Sequence, residues 1–153
     1  MILAGFVCRR SGGMLLGLNV GTLVVTDGEV GDFCVKLYLK SRCDGFRWVL
    51  VSVYGAAQEE HKSQFLSELV QLCENETLPM IVGGDFNIIR KPEEKNNDNY
   101  NPRWPLMFNA IIQSLELREL ELSGRQYTWA SRRENPTFEK LDRVLASTEW
   151  EQK

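Results

Sequence analysis

Apolar and polar positions change their period several times along the chain. Phe33, Val35, Leu37 and Leu39 alternate with polar neighbours, with Lys36 and Lys40 on the other side, which is the period of a half-buried strand over 33–40. Arg42 to Gly45 reads as a tight turn, and the β-branched run from Arg47 to Tyr54 reads as the returning strand of an antiparallel hairpin. From Gln58 to Glu76 the spacing becomes helical. Phe65, Leu66, Leu69, Val70, Leu72 and Cys73 form one apolar stripe, with Glu59, Glu60, Lys62, Gln64 and Glu68 expected outside it. Leu78 to Val82 is a short, continuously apolar strand that enters Gly83 and Gly84.

The flanking segments carry weaker patterns. Met14 to Leu18 reads as a short buried strand after Gly12 and Gly13, and Asp27 to Asp32 as an acidic turn. Residues 91–103 are polar, contain Pro92 and Pro102, and have no period, which predicts a surface loop of a length often used for function. Pro105 is expected to open a second helix through about Leu117, with Phe108, Ile111, Ile112 and Leu115 inward. Tyr127 to Ala130 and Phe138 to Ser147 read as two more strands around the polar turn Ser131 to Pro136. Hairpins outnumber strict βαβ units, so the pattern predicts mixed sheets flanked by helices.

Composition narrows the class. The 153 residues suit one domain with a real core, and 43% of them are apolar. Eighteen basic residues against 21 acidic ones give a net charge of −3, so nucleic-acid contact has to come from a local basic patch. Cys8, Cys34, Cys43 and Cys73 form no Cys-x-x-Cys pair and are read as reduced, mostly core residues. The apolar start Met1 to Val7 is too short for a membrane span and has no basic leader, which predicts a nuclear or cytoplasmic chain. On that basis the sequon at Asn75 is discounted.

The chemistry centres on Asp85 and Asn87. They follow a buried strand at a spacing of two, which in extended backbone puts both side chains on one side. A carboxylate holds a hard cation through oxygen, and an amide orients a phosphate or a water without like-charge repulsion. The same residues also suit an Asx turn that caps the strand, and the two readings stay open. Arg90, Lys91, Arg103, Arg132 and Arg133 either flank a nucleic-acid groove or are ordinary solvated charges. Trp129 is read as a core aromatic ahead of a base-stacking residue, and Trp104, the better surface candidate of the two, as packing on the second helix. Asp142 is read as a hydrogen-bonded charge in an apolar strand, with Arg125 or Lys140 as partner, or as part of a site. His61, the sole histidine, is read as a solvated residue at the start of the first helix.

In order along the chain, Val53-Tyr54-Gly55, Gly83-Gly84-Asp85-Phe86-Asn87, Tyr127-Thr128-Trp129 and Lys140-Leu141-Asp142-Arg143-Val144-Leu145 resemble the endonuclease/exonuclease/phosphatase superfamily. The resemblance is nearest to the endonuclease domains of plant-type LINE (non-LTR) retrotransposons and runs from about Ser11 to Lys153. It implies an α/β (α+β) four-layer sandwich, two mixed sheets flanked by helices, with 1–153 as one partial domain lacking both ends. It also implies a DNA phosphodiesterase working with magnesium or manganese, beside a reverse transcriptase in the parent element. Asp85 would hold the metal and the attacking water, Asn87 would support it as second ligand, and the Tyr54 hydroxyl would touch the phosphate. Asp142 would orient a catalytic histidine. The family's metal-binding Glu is expected upstream of Ser11 and its Ser-Asp-His segment downstream of Lys153. The resemblance therefore implies weak metal binding, little turnover, and exposed sheet edges that leave the fold marginal. Two other readings are a non-catalytic nucleic-acid or protein interaction remnant of this scaffold, and a branch acting on phosphoinositides or nucleotides.

Overall fold

The computed structural model describes residues 2–8 and 12–153, with side chains from Met14 onward. Ser11, where the resemblance was expected to begin, lies outside them, as do Arg9 and Arg10. Strands β1 (Ile2–Cys8) and β2 (Gly12–Leu18) form an antiparallel ribbon. A six-stranded sheet follows, built from β3 (Leu23–Val30), β4 (Cys34–Ser41), β5 (Arg47–Tyr54), β6 (Met80–Asp85), β7 (Leu117–Leu120) and β10 (Asp142–Ser147). Its order is β3-β4-β5-β6-β10-β7, and only β5 and β6 run parallel. A short ribbon of β8 (Trp129–Ala130) and β9 (Phe138–Glu139) stands beside it. The helices are α1 (Glu59–Cys73), α2 (Arg103–Ser114) and α3 (Thr148–Glu151).

One sheet face is dry. Val49, Val51, Val53, Val82 and Leu145 meet Phe65, Leu66 and Leu69 of α1 and Phe108 and Ile112 of α2 there. The opposite face carries Val35, Leu37 and Leu39, covered by Met14, Leu16 and Leu18 of the first ribbon. The layers are thus helices, mixed sheet and a smaller antiparallel ribbon, consistent with the sandwich that the sequence implied. Among the described residues no helix is long and apolar enough to cross a membrane.

Several expectations change. Met14 to Leu18 is a strand but not a buried one: Leu15 is 66% exposed, because only alternate residues face the sheet. Asp27 to Val30 extend an edge strand rather than forming a turn; a bulge between Val25 and Asp27 shifts its register and leaves the charges in solvent. In β4, Lys36 is buried and its ammonium contacts Glu76 at 2.8 Å and the Leu72 carbonyl at 2.7 Å. The second helix starts two residues before Pro105 and ends early enough for β7, which helical spacing alone had hidden. The expected strand 138–147 breaks at Lys140 and Leu141 into β9 and β10. The loop 91–103 holds a 3-10 turn, Pro92–Glu94, whose Glu94 is buried. Cys34 and Cys73 are core residues and Cys43 is exposed; burial pushes the Cys73 thiol up to about 12, which leaves it inert.

Candidate active site

The site lies where β5 and β6 end side by side. Their parallel register puts Tyr54 next to Asp85, and the antiparallel register of β10 puts Asp142 on the other side of Asp85. Gly84 allows the close approach of β5. Its φ is +137°, and a Cβ there would lie 2.1 Å from the Val53 carbonyl oxygen. Beyond β6 the chain turns sharply. The Asn87 N–H donates to Asp85 Oδ1 at 2.8 Å, so the Asx turn is real, and Asn87 adopts φ +51°. That turn aims the Asn87 amide back at β5, where Nδ2 donates to the Gly55 carbonyl at 2.8 Å while the Gly55 N–H donates to the Asp85 carbonyl at 2.7 Å. The capping reading and the site reading describe one arrangement.

Tyr54, Asp85 and Asn87 line a cleft of about 470 Å³. Lys62, Glu59, Lys95, Glu139, Trp104 and Trp129 are among its other walls. Asp142 opens instead onto the adjoining groove with Thr128, Lys140 and Lys91. Its backbone N–H donates to Thr128 Oγ1 at 3.1 Å, in place of the side-chain partnership with Arg125 or Lys140 that was expected. Burial raises the Asp85 pKa, the Asn87 N–H opposes this, and the nearby Asp142 charge raises it further. Lys62 supplies a compensating positive charge.

Lys62 was expected on the solvent side of its helix, outside the apolar stripe, yet it is 7% exposed. The signal was its spacing, since Lys62, Phe65, Leu66, Leu69, Leu72 and Cys73 share the buried stripe. Trp129 is 44% exposed on the two-residue strand β8, too far out to join the core. Trp104 is buried in the first turn of α2 and its indole N–H donates to Glu59. His61 is half-exposed on α1 and lines a groove with Tyr54, Gly55 and Gln58, without Asp85 or Asp142.

None of the five arginine and lysine residues singled out for nucleic acid lines the cleft with Asp85. Arg90 is tied to Glu119 at 3.1 Å and to Asn109 at 2.8 Å. Lys91 faces the Asp142 groove, Arg103 lies over the Trp104 ring at 4.8 Å, and Arg132 and Arg133 are exposed in the turn between β8 and β9. The cations in the cleft are Lys62 and Lys95, and Lys95 pairs with Glu139 at 3.2 Å.

Asp85 and Asn87 together present one carboxylate and one amide oxygen. Among the described residues no three His, Cys, Asp or Glu side chains are grouped to hold a metal. A hard divalent ion takes about six oxygen ligands, so these residues do not make a complete site for one.

Residues 9–153 match the profile of the Endonuclease/Exonuclease/phosphatase family. The chain belongs to that family. Endonuclease/exonuclease/phosphatase proteins generally work with divalent metals. Solved structures carry the same fold. The endonuclease domain of TRAS1, a telomere-specific non-LTR retrotransposon, is 12% identical with a TM-score of 0.65, over 95% of this chain and 67% of that one. The human Nocturnin catalytic domain with bound sulfate is 15% identical with a TM-score of 0.60, over 95% and 61%. A mannosyl-6-phosphatase from Bacteroides thetaiotaomicron is 15% identical with a TM-score of 0.55, over 95% and 63%. The chain thus spans 61% to 67% of the length of these three structures. At such identities the likeness is one of fold. No curated protein matches the chain in sequence.

Proposed function

We propose that this chain carries a phosphodiesterase domain of the DNA-endonuclease type, derived from a retroelement, whose turnover as this chain alone is negligible. The observation that carries the reading is the convergence of Tyr54, Asp85 and Asn87 on one cleft at the ends of β5 and β6. Asp85 would act on the attacking water, and Asp85 and Asn87 would offer a magnesium or manganese ion only the one carboxylate and one amide oxygen described above. The Asn87 amide and the Tyr54 hydroxyl orient the phosphate. Asp142, paired with Asp85 across β6 and β10, would orient an imidazole, and His61, the sole histidine, opens onto a different groove. The likeness to a retrotransposon endonuclease domain supports DNA as substrate and a reverse transcriptase as neighbour in the parent element.

Low turnover follows from the donor set. One carboxylate and one amide leave a divalent ion weakly held, and general acid–base assistance worth roughly 10²–10⁴-fold has no imidazole beside Asp142. The test is supercoiled plasmid incubated with the chain in manganese, alongside DNA binding across a salt series. We expect binding that weakens with salt and no nicking above background. Nicking that disappears in Asp85→Ala would overturn the inactivity while supporting the phosphodiesterase reading. Failure to bind DNA at low salt would remove DNA as the substrate.

A further inference from the structure

The proposed chemistry gives Lys62 no role, yet it is a lysine in a position unfavourable for a charge. It occupies the apolar stripe of α1 one turn before Phe65 and Leu66, and only 7% of it is exposed. A helical side chain leans toward the turn that precedes it, and Lys62 reaches back over the start of α1 to the loop leaving β5. There its ammonium donates to the Ala56 carbonyl at 2.8 Å and to the Asn87 carbonyl at 2.7 Å. These oxygens come from two different segments, one following Tyr54 and the other ending the Asp85–Asn87 turn. Each carries partial negative charge, and without a cation between them they would repel.

We propose that Lys62 is the positioning residue of this site, an internal clamp that fixes the Asp85–Asn87 turn against the Tyr54 loop. The inference rests on the reading of those three residues as the reacting centre. Three observations converge on it. Asn87 stands at φ +51°, a left-handed conformation that asparagine tolerates better than most residues, and Lys62 binds the carbonyl of that same residue. The side-chain amide of Asn87 then reaches the Gly55 carbonyl, one residue from the other oxygen that Lys62 holds. Lys62 also lines the cleft with Asp85, so the clamp brings positive charge to the wall where an anionic phosphodiester would sit. A neutral clamp would serve the first two purposes and not the third.

The experiment is two-dimensional NMR of the full chain, comparing Lys62→Met and Lys62→Arg with the parent. In Lys62→Met we expect the Asn87 side-chain amide resonances to move and hydrogen exchange at the Gly55 N–H to quicken about tenfold. The amides of Phe65 and Leu69, on the same stripe, should keep their exchange rates. Lys62→Arg, which keeps the charge and the donors, should restore most of the Asn87 signature. Unchanged Asn87 and Gly55 signals in Lys62→Met would overturn the clamp. So would a uniform rise in exchange across α1 and β5, which would make Lys62 a general packing residue. Neither readout needs catalysis. A failure of DNA binding would therefore count against the substrate alone, and the spectra decide the role of Lys62.

Discussion

Asp142 and Arg143 are neighbours on one strand and live in opposite electrostatic surroundings. Arg143 points to the helix face, where its side chain is fully buried. Its guanidinium meets Glu94 at 2.7 Å and Glu119 at 2.8 Å, and donates to the Lys140 carbonyl at 2.9 Å. Arg90 joins from the other side of Glu119. Asp142 points to the other face, in register with a second carboxylate, Asp85, whose burial and neighbour both disfavour its charge. One face matches charges and holds the 3-10 turn, β7 and β10 together. The other brings like charges to the ends of adjacent strands. Arg143 joins three segments through its ion pairs, and Asp85 is a carboxylate whose charge its surroundings disfavour.

If that contrast is right, cutting the network has the largest effect. Arg143→Met leaves the buried Glu94 without its ion-pair partner and Glu119 with only Arg90 and Lys140, and should lower stability by about 3–5 kcal/mol, read from the midpoint of urea unfolding. A loss under about 1 kcal/mol would mean that the network is not what holds this face. Gly84→Ala tests the site side by geometry alone, since the new methyl must displace the β5 backbone or force β6 away. A loss of about 2 kcal/mol is expected, and a neutral result would show that the β5–β6 approach is not tight.

The smallest effect should have the opposite sign. Asp85→Asn keeps an oxygen for the Asn87 N–H and removes a charge that the site disfavours. It should stabilise the chain at pH 7 by about 0.5 kcal/mol, a modest gain because Asp85 is partly solvated. The pH dependence follows. Burial raises the Asp85 pKa in the folded chain, so its contribution is most favourable below the ordinary value of 3.8 and is lost as pH rises through the folded value. The advantage of Asp85→Asn should therefore shrink toward zero below pH 3.8, which thermal melts at pH 3 and pH 7 would show. Glu94 behaves the other way. Burial raises its pKa, but the hydrogen bonds from the Arg143 side chain and the Arg90 backbone N–H outweigh burial and lower it. Its contribution is present above pH 4.5 and is lost as pH falls through the folded value.

The same contrast explains what was legible in the sequence. The hairpin of β4 and β5, helix α1 and strand β6 were readable because burial on one face imposes a period on their residues. Asp85 and Asn87 were readable because a glycine pair and a two-residue spacing are local. Arg143 was visible only as part of a motif, since Glu94 and Glu119 come from distant segments and no period announces them. Lys62 is misplaced when its residue type is weighed above its spacing. Residues 27–30 look like a turn because a bulged edge strand carries outward charges on the same residues that a turn would. Trp129 was expected inside by residue type, but a two-residue strand offers too little sheet to cover it.

The order of the sheet has a consequence for when the site can exist. Strand β6 finds β5 soon after synthesis through the connection formed by α1, but its other neighbour, β10, comes much later in the chain. A contact between segments so far apart forms slowly, because a long loop must close before any hydrogen bond repays it. Asp85 is therefore made early and meets Asp142 late. A chain with β6 on β5 and β10 still unpaired has the Asp85 turn without the Asp142 carboxylate beside it, so the like-charge pairing of the two strand ends arises only when the sheet closes.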